Sequence, residues 1–267
     1  MPRVILPRVS SRRNSARLAL VLALFCATLI AHSASATVTC GSLGGWRDGY
    51  EMQALDPSGN TYEGIYGNVV PRSSTICDTA AHDSTNYNNS YLGVDTPNGY
   101  AITGFFRWWG SATYHYTQYQ QSVGSGFIRD IFTQLGSVPL GTSVLYKAAF
   151  STTGCASTSC EVLSYNTSVL KRTPFDPFLA WPQSSGTWFT TATGSWSWTG
   201  TSVPGSSTSP VSYRGVTLQQ YDQTWSTSYP HAFSDTREGS NQYACQTGFN
   251  YTAATRGFNI WEGTSPC

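Results

Sequence analysis

The sequence predicts an all-β protein: an antiparallel β-sandwich of the jelly-roll or concanavalin-A-like kind, with one short helix. Three observations predict it. Apolar and polar residues alternate with period two over short runs. Turn residues interrupt those runs at short intervals. Six cysteines follow a leader that marks an exported chain, where disulfides stabilise such sandwiches.

The leader is read first, because it is not part of the fold. Arg3, Arg8, Arg12, Arg13 and Arg17 form a basic front, Leu18 to Ala31 is apolar, and Ala34-Ser35-Ala36 supplies small residues for cleavage. The expected division is a signal peptide over 1–36 and a single secreted domain over 37–267. Removing 36 residues from 267 leaves 231, a length that suits one large β domain. All 14 acidic residues but only ten of the 15 basic ones then remain, a net charge of −4. A mildly acidic chain without clustered Lys or Arg argues against nucleic acid as a partner. An extracellular location follows, with no membrane attachment after cleavage.

The cysteines of the expected mature chain are Cys40, Cys77, Cys155, Cys160, Cys245 and Cys267. Proximity in sequence favours the pairs Cys155–Cys160, Cys245–Cys267 and Cys40–Cys77, the last two tying down the termini.

Strand candidates follow in order: YEGIYGNVV from Tyr62, SYLGV from Ser90, and YAITGFFRWW from Tyr100. The Asp95–Gly99 stretch joins the second and third, with Pro and Gly where turns want them. TSVLYKAAFS, EVLSYNTSVL, TWFTTATGSWSW, VSYRGVTLQQY and GFNIW complete the set, and CDTAAHDSTNYNN reads as polar loop. One segment differs. In SGFIRDIFTQLG, residues 125–136, Phe127, Ile128, Ile131, Phe132 and Leu135 recur at helical spacing, with Ser125 as N-cap and Gly136 as stop. This predicts the helix.

The densest aromatic segment is GYAITGFFRWWGSATYHYTQYQQ, residues 99–121. Gly110-Ser111 fits a two-residue hairpin turn. In that register Arg107 faces Tyr114, Phe105 faces Tyr116 and Thr103 faces Gln118. One face then holds Thr103, Phe105, Arg107, Trp109, Tyr114, Tyr116 and Gln118, and the other holds Ile102, Phe106, Trp108, His115 and Tyr119. A dry core rejects an unpaired guanidinium, so the first face is assigned to a ligand and the second to the core. Flat rings beside an amide and a guanidinium suit a polysaccharide or an extended peptide.

The order of segments resembles that of secreted sandwich proteins of the glutamic peptidase (eqolisin) and neprosin-like type. YEGIYGNVV resembles their opening strand, SYLGVD the strand with a Trp-Val-Gly motif, and AITGFF the strand that carries a glutamine. YHYTQYQQ resembles the aromatic strand that follows, and PLGTSVLYKAAF the strand beyond; together they cover Tyr62 to Tyr221. The resemblance implies the sandwich fold and a site on one sheet. It also implies a Gln and a Glu that activate water, and both are missing where they should fall: near Thr103 there is no amide, and Trp196 to Gly200 contains no carboxylate.

Other chemistry is weakly supported. No Gly-x-Ser-x-Gly elbow occurs. His82, His115 and His231 lack metal-ligand spacing, and no cofactor or metal is implied. Glu161, Asp176, Asp222, Asp235, Glu238 and Glu262 are scattered singly, whereas glycoside hydrolysis needs two carboxylates at one site. The expectation is a non-catalytic binding protein for a polysaccharide or extended peptide. The alternative is an extracellular hydrolase whose carboxylate arrives from a loop.

Overall fold

Period-two alternation should place each strand with one face inward, and the structure, a computed structural model, is built that way. It describes residues 48–54, 62–76, 87–96, 99–108, 110–123, 127–174, 190–197, 202–220, 222–227, 233–238, 244–263 and 267. In chain order the strands are β1 (Asp48–Ala54), β2 (Tyr62–Val70), β3 (Tyr87–Thr96), β4 (Gly99–Trp108), β5 (Thr113–Val123), β6 (Phe127–Ser137), β7 (Val144–Ser151) and β8 (Cys160–Tyr165). They continue with β9 (Ser168–Arg172), β10 (Thr190–Ser197), β11 (Gly205–Ser206), β12 (Ser209–Gln220), β13 (Trp225–Ser226), β14 (Phe233–Glu238), β15 (Ala244–Gln246) and β16 (Phe258–Glu262).

A seven-stranded sheet runs β14-β1-β10-β3-β4-β5-β6. A nine-stranded sheet runs β15-β16-β11-β12-β2-β7-β8-β9, with β13 attached to β12. The two pack face to face as a sandwich. Leu92, Ala101, Phe105 and Tyr119 of the first sheet share one core with Ile65, Tyr146, Ala148, Leu163 and Tyr213 of the second. Each large apolar side chain in that layer contributes about 1.5–3 kcal/mol over leaving it in water.

The predicted helix is not formed: Phe127–Ser137 is strand β6, and no helix occurs among the described residues. Helical spacing arises there because apolar residues serve both faces of an edge strand. Ile131 packs against the inter-sheet core, while Phe132 lies on the opposite face against Phe106, Trp108 and Tyr116. A ladder to β5 from Tyr114–Ser137 to Val123–Phe127 then outweighs local propensity. EVLSYNTSVL likewise divides into two strands, turning at Asn166 with φ of 47°.

The disulfides Cys155–Cys160 and Cys245–Cys267 are formed, each with Cα atoms 5.5 Å apart. The expected Cys40–Cys77 pair and the 1–36 leader lie outside the described residues.

Candidate ligand-binding face

The site begins at the turn between β4 and β5. Its last ladder pair is Arg107–Thr113, and above it the pairs are Phe106–Tyr114, Phe105–His115, Gly104–Tyr116, Thr103–Thr117 and Ile102–Gln118. This is one residue off the register expected from a two-residue Gly110-Ser111 turn. Trp108 and Ser111 close the turn instead. The Ser111 N–H donates to the Trp108 carbonyl at 3.2 Å, and the Trp108 N–H donates to the Ser111 hydroxyl oxygen at 3.1 Å. Gly110 takes the left-handed φ of 65° that this geometry needs.

A slip of one residue exchanges the partners on each face. The seven candidate residues are therefore parted. Thr103 and Phe105 are fully buried between the sheets, and Thr103 donates its hydroxyl to the Tyr116 carbonyl at 3.2 Å. Arg107 shares their side of β4, at its end. Its guanidinium donates to the Ser111 carbonyl at 3.1 Å and the Ser74 carbonyl at 2.8 Å, which is how a cation is tolerated there. Trp109 lies outside the described residues. Tyr114, Tyr116 and Gln118 share the face that points away from the second sheet. Phe106 and Trp108, expected in the core, are there with them.

That outward face is a connected set of rings. Phe106 meets Trp108 edge-on at 4.7 Å, Tyr116 at 5.6 Å and Phe132 at 4.9 Å, and lies 6.0 Å from Tyr114. Phe132 stacks on Tyr116 at 5.4 Å. Phe106 and Tyr116 form a buried floor with Tyr91 and Ile102. Trp108, Tyr114 and Tyr100 are half-buried, and Phe132 at the rim is 36% exposed.

Polar groups are set into the rings at two places. The Asn89 amide donates to the Tyr116 hydroxyl at 3.1 Å, bridging β3 and β5 across β4. On the strand between them, a Cβ at Gly104 would run into the β3 backbone, meeting the Ser90 carbonyl oxygen and, at 2.7 Å, the Tyr91 Cα. The Asn89 carbonyl oxygen is buried and accepts no hydrogen bond among the described residues. Gln118 donates through Nε2 to the Tyr100 hydroxyl at 2.8 Å.

The sequence reading missed Asn89, Tyr91, Tyr100 and Phe132. Alternation in NNSYLGV held the signal for the first two, since Asn89 and Tyr91 share a parity opposite to buried Leu92. Register also places Glu51 of β1 opposite Gly194 of β10, which faces Tyr91, in the cross-strand row that continues through Gly104 to Tyr116. Gln53 stands in the neighbouring row, which continues through Ala192, Gly93 and Ile102 to Gln118.

Opposite this face, on the core side of β5, His115 accepts or donates at Nδ1 with the Tyr146 hydroxyl at 2.7 Å and stacks on Tyr165 at 4.1 Å. Burial lowers its pKa from 6.5 to about 4. Burial first, and then the neighbouring Tyr213 and Tyr165, raise that of Tyr146.

No family profile matches the chain, and no curated protein matches it in sequence. Among solved structures it is similar to Scytalido-glutamic peptidase with a peptide-based transition state analog: TM-score 0.51 and 11% identity, over 80% of this chain and 98% of that one. A second structure of that peptidase, with a transition state analog inhibitor, gives 0.49 at 9% identity, over 81% of this chain and 98% of that one. SCP-B, an Eqolisin family peptidase in complex with the tripeptide Ala-Ile-His, gives 0.45 at 10% identity, over 81% and 97%. The first of these shows that the chain has the β-sandwich fold found in the glutamic peptidases, as the order of its strands implies.

Proposed function

We propose that this is an exported protein that holds an extended peptide, without cleaving it, against the outward face of its seven-stranded sheet. The observation that carries the reading is the second aromatic cluster, built on the face away from the inter-sheet core. Sandwich stability needs only the inner layer. Rings arranged as floor and rim beside amide and phenol groups offer stacking surface and directional hydrogen bonds to a flat chain. A buried carbonyl oxygen on Asn89 with no donor among the described residues fits a ligand N–H. The similar glutamic peptidase fold, solved with a peptide-based analog, favours peptide over polysaccharide. Two disulfides and the basic-apolar-small leader support an extracellular setting.

The test is a panel of extended peptides and polysaccharides offered to the mature protein, with Trp108→Ala and Phe132→Ala beside it. Peptide retention that falls at least tenfold in both variants supports the reading. Retention unchanged in both, or retention of polysaccharide alone, contradicts it.

One placement favours a second reading, an extracellular hydrolase. Glu51 and Gln53 stand in the cross-strand rows of Tyr116 and Gln118, so a carboxylate residue comes from a sheet strand rather than a loop. With strands about 4.8 Å apart, Glu51 is about 10 Å along its row from Tyr91. Peptide cleavage by the wild type that disappears in Glu51→Gln would establish this reading over the first.

A further inference from the structure

Far along the chain from the aromatic face, β12 carries an irregularity. Its pairing with β2 jumps between Arg214 and Thr217, and Gly215 takes a φ of 60°. Bulges re-aim side chains. The displaced backbone is bound by the loop before β16: Gly215 N–H donates to the Thr255 carbonyl at 3.4 Å, and Val216 N–H donates to the Arg256 carbonyl at 3.0 Å. Between bulge and loop lies a cavity of about 490 Å³, in the range that holds small ligands.

Its chemistry is one-sided. Arg214 is the sole charged group among the residues lining it. Nη1 donates to the Tyr213 and Phe258 carbonyls, and Nη2 donates to the Asn259 Oδ1 at 2.7 Å. All three acceptors are neutral, and Nε and the second Nη2 hydrogen have no partner among the described residues. Burial lowers the Arg214 pKa. The two asparagines present donors as well. Asn259 Oδ1 accepts from Arg214 and from the Ser212 hydroxyl at 2.8 Å, and Asn250 Oδ1 accepts from the Thr252 N–H at 2.9 Å. Those donors fix which end of each amide is oxygen, so both NH₂ groups are left over among the described residues. Phe249, Tyr251 and Phe258 supply the apolar wall, with Phe249 and Tyr251 4.8 Å apart and Phe258 stacked on Tyr213 at 4.5 Å.

We infer that this cavity is a second binding site, separate from the aromatic face, for a ligand with a carboxylate and an apolar body. The open edge of Arg214 matches a carboxylate in two-point fashion, and the rings take the rest. Either a free aromatic acid or the C-terminus of a peptide presents this chemistry.

Calorimetric titration of the mature protein tests it with four probes: N-acetyl-phenylalanine, its amide, and a hexapeptide ending in Phe with a free or an amidated C-terminus. Binding of at least one acid, with its amide at least tenfold weaker, is expected; the arm that binds identifies the source. Arg214→Gln should weaken it at least tenfold. Asn250→Asp, which keeps the acceptor for Thr252 but adds negative charge at the wall, should do the same with thermal unfolding unchanged. The preference for acid over amide should persist in Trp108→Ala and Phe132→Ala, even where these variants weaken both hexapeptides alike, so failure here is distinct from failure of the aromatic face. Equal binding of acids and amides, no saturable binding, or wild-type affinity in Asn250→Asp would overturn the inference.

Discussion

Asn89 on β3 reaches over β4 to donate its side-chain amide to the hydroxyl of Tyr116 on β5, at 3.1 Å. The bond spans β4, where Gly104 lies too close to the β3 backbone to carry a side chain. It fixes two groups of the outward face relative to each other and locks three strands in one register.

Removing the hydroxyl should therefore cost stability. Tyr116→Phe leaves a buried amide donor without its acceptor, a loss of about 1–3 kcal/mol. Urea unfolding of Tyr116→Phe, Asn89→Ala and the double variant should show coupling between the two sites. Additive effects would mean the bond contributes nothing.

Two phenylalanines should separate stability from binding. Phe105 is fully buried between the sheets, and Phe132 is 36% exposed on the other face. Phe105→Ala should cost about 3–5 kcal/mol in denaturant unfolding. Phe132→Ala should cost under about 1.5 kcal/mol, since it loses ring contacts at a rim. Equal costs would contradict the observed register.

Acid should weaken the fold through His115. Its folded pKa, about 4, lies below the ordinary 6.5, so the unfolded chain takes the proton first. This contribution is whole above pH 6.5 and is lost as pH falls toward 4, by at most about 3 kcal/mol. Burial raises the pKa of the facing Tyr146 hydroxyl, which therefore stays neutral in that window. His115→Gln should flatten the difference in stability between pH 7 and pH 4 relative to the wild type. An unchanged slope would place the acid sensitivity elsewhere.

The two disulfides should differ in weight. Cys245–Cys267 spans 22 residues and Cys155–Cys160 spans five. Chain entropy gives about 3 and about 2 kcal/mol respectively. Thermal unfolding of the two double-serine variants should rank them in that order.

Strand alternation was legible in the sequence, because it is a local property: Ile65 and Leu92 are buried in runs that read as strands, whereas Phe105, expected on the ligand face, is inward. Register was not, because it depends on how a turn closes. Ser111 bonds to Trp108 through both backbone and hydroxyl, and this moved every pair of the β4–β5 hairpin by one. The β6 segment reads as helix because a strand with apolar residues on both faces imitates helical spacing; Phe132 outward and Ile131 inward make the pattern. The Arg214 cavity was invisible, since its parts meet only through a bulge and a distant loop.

Hydrogen exchange of the mature protein, with and without an extended peptide selected for binding, tests the central claim most directly. Protection concentrated at β3, β4, β5 and β6, lost in Trp108→Ala, is the predicted result. Protection confined to the nine-stranded sheet, or none anywhere despite saturating peptide, would contradict it.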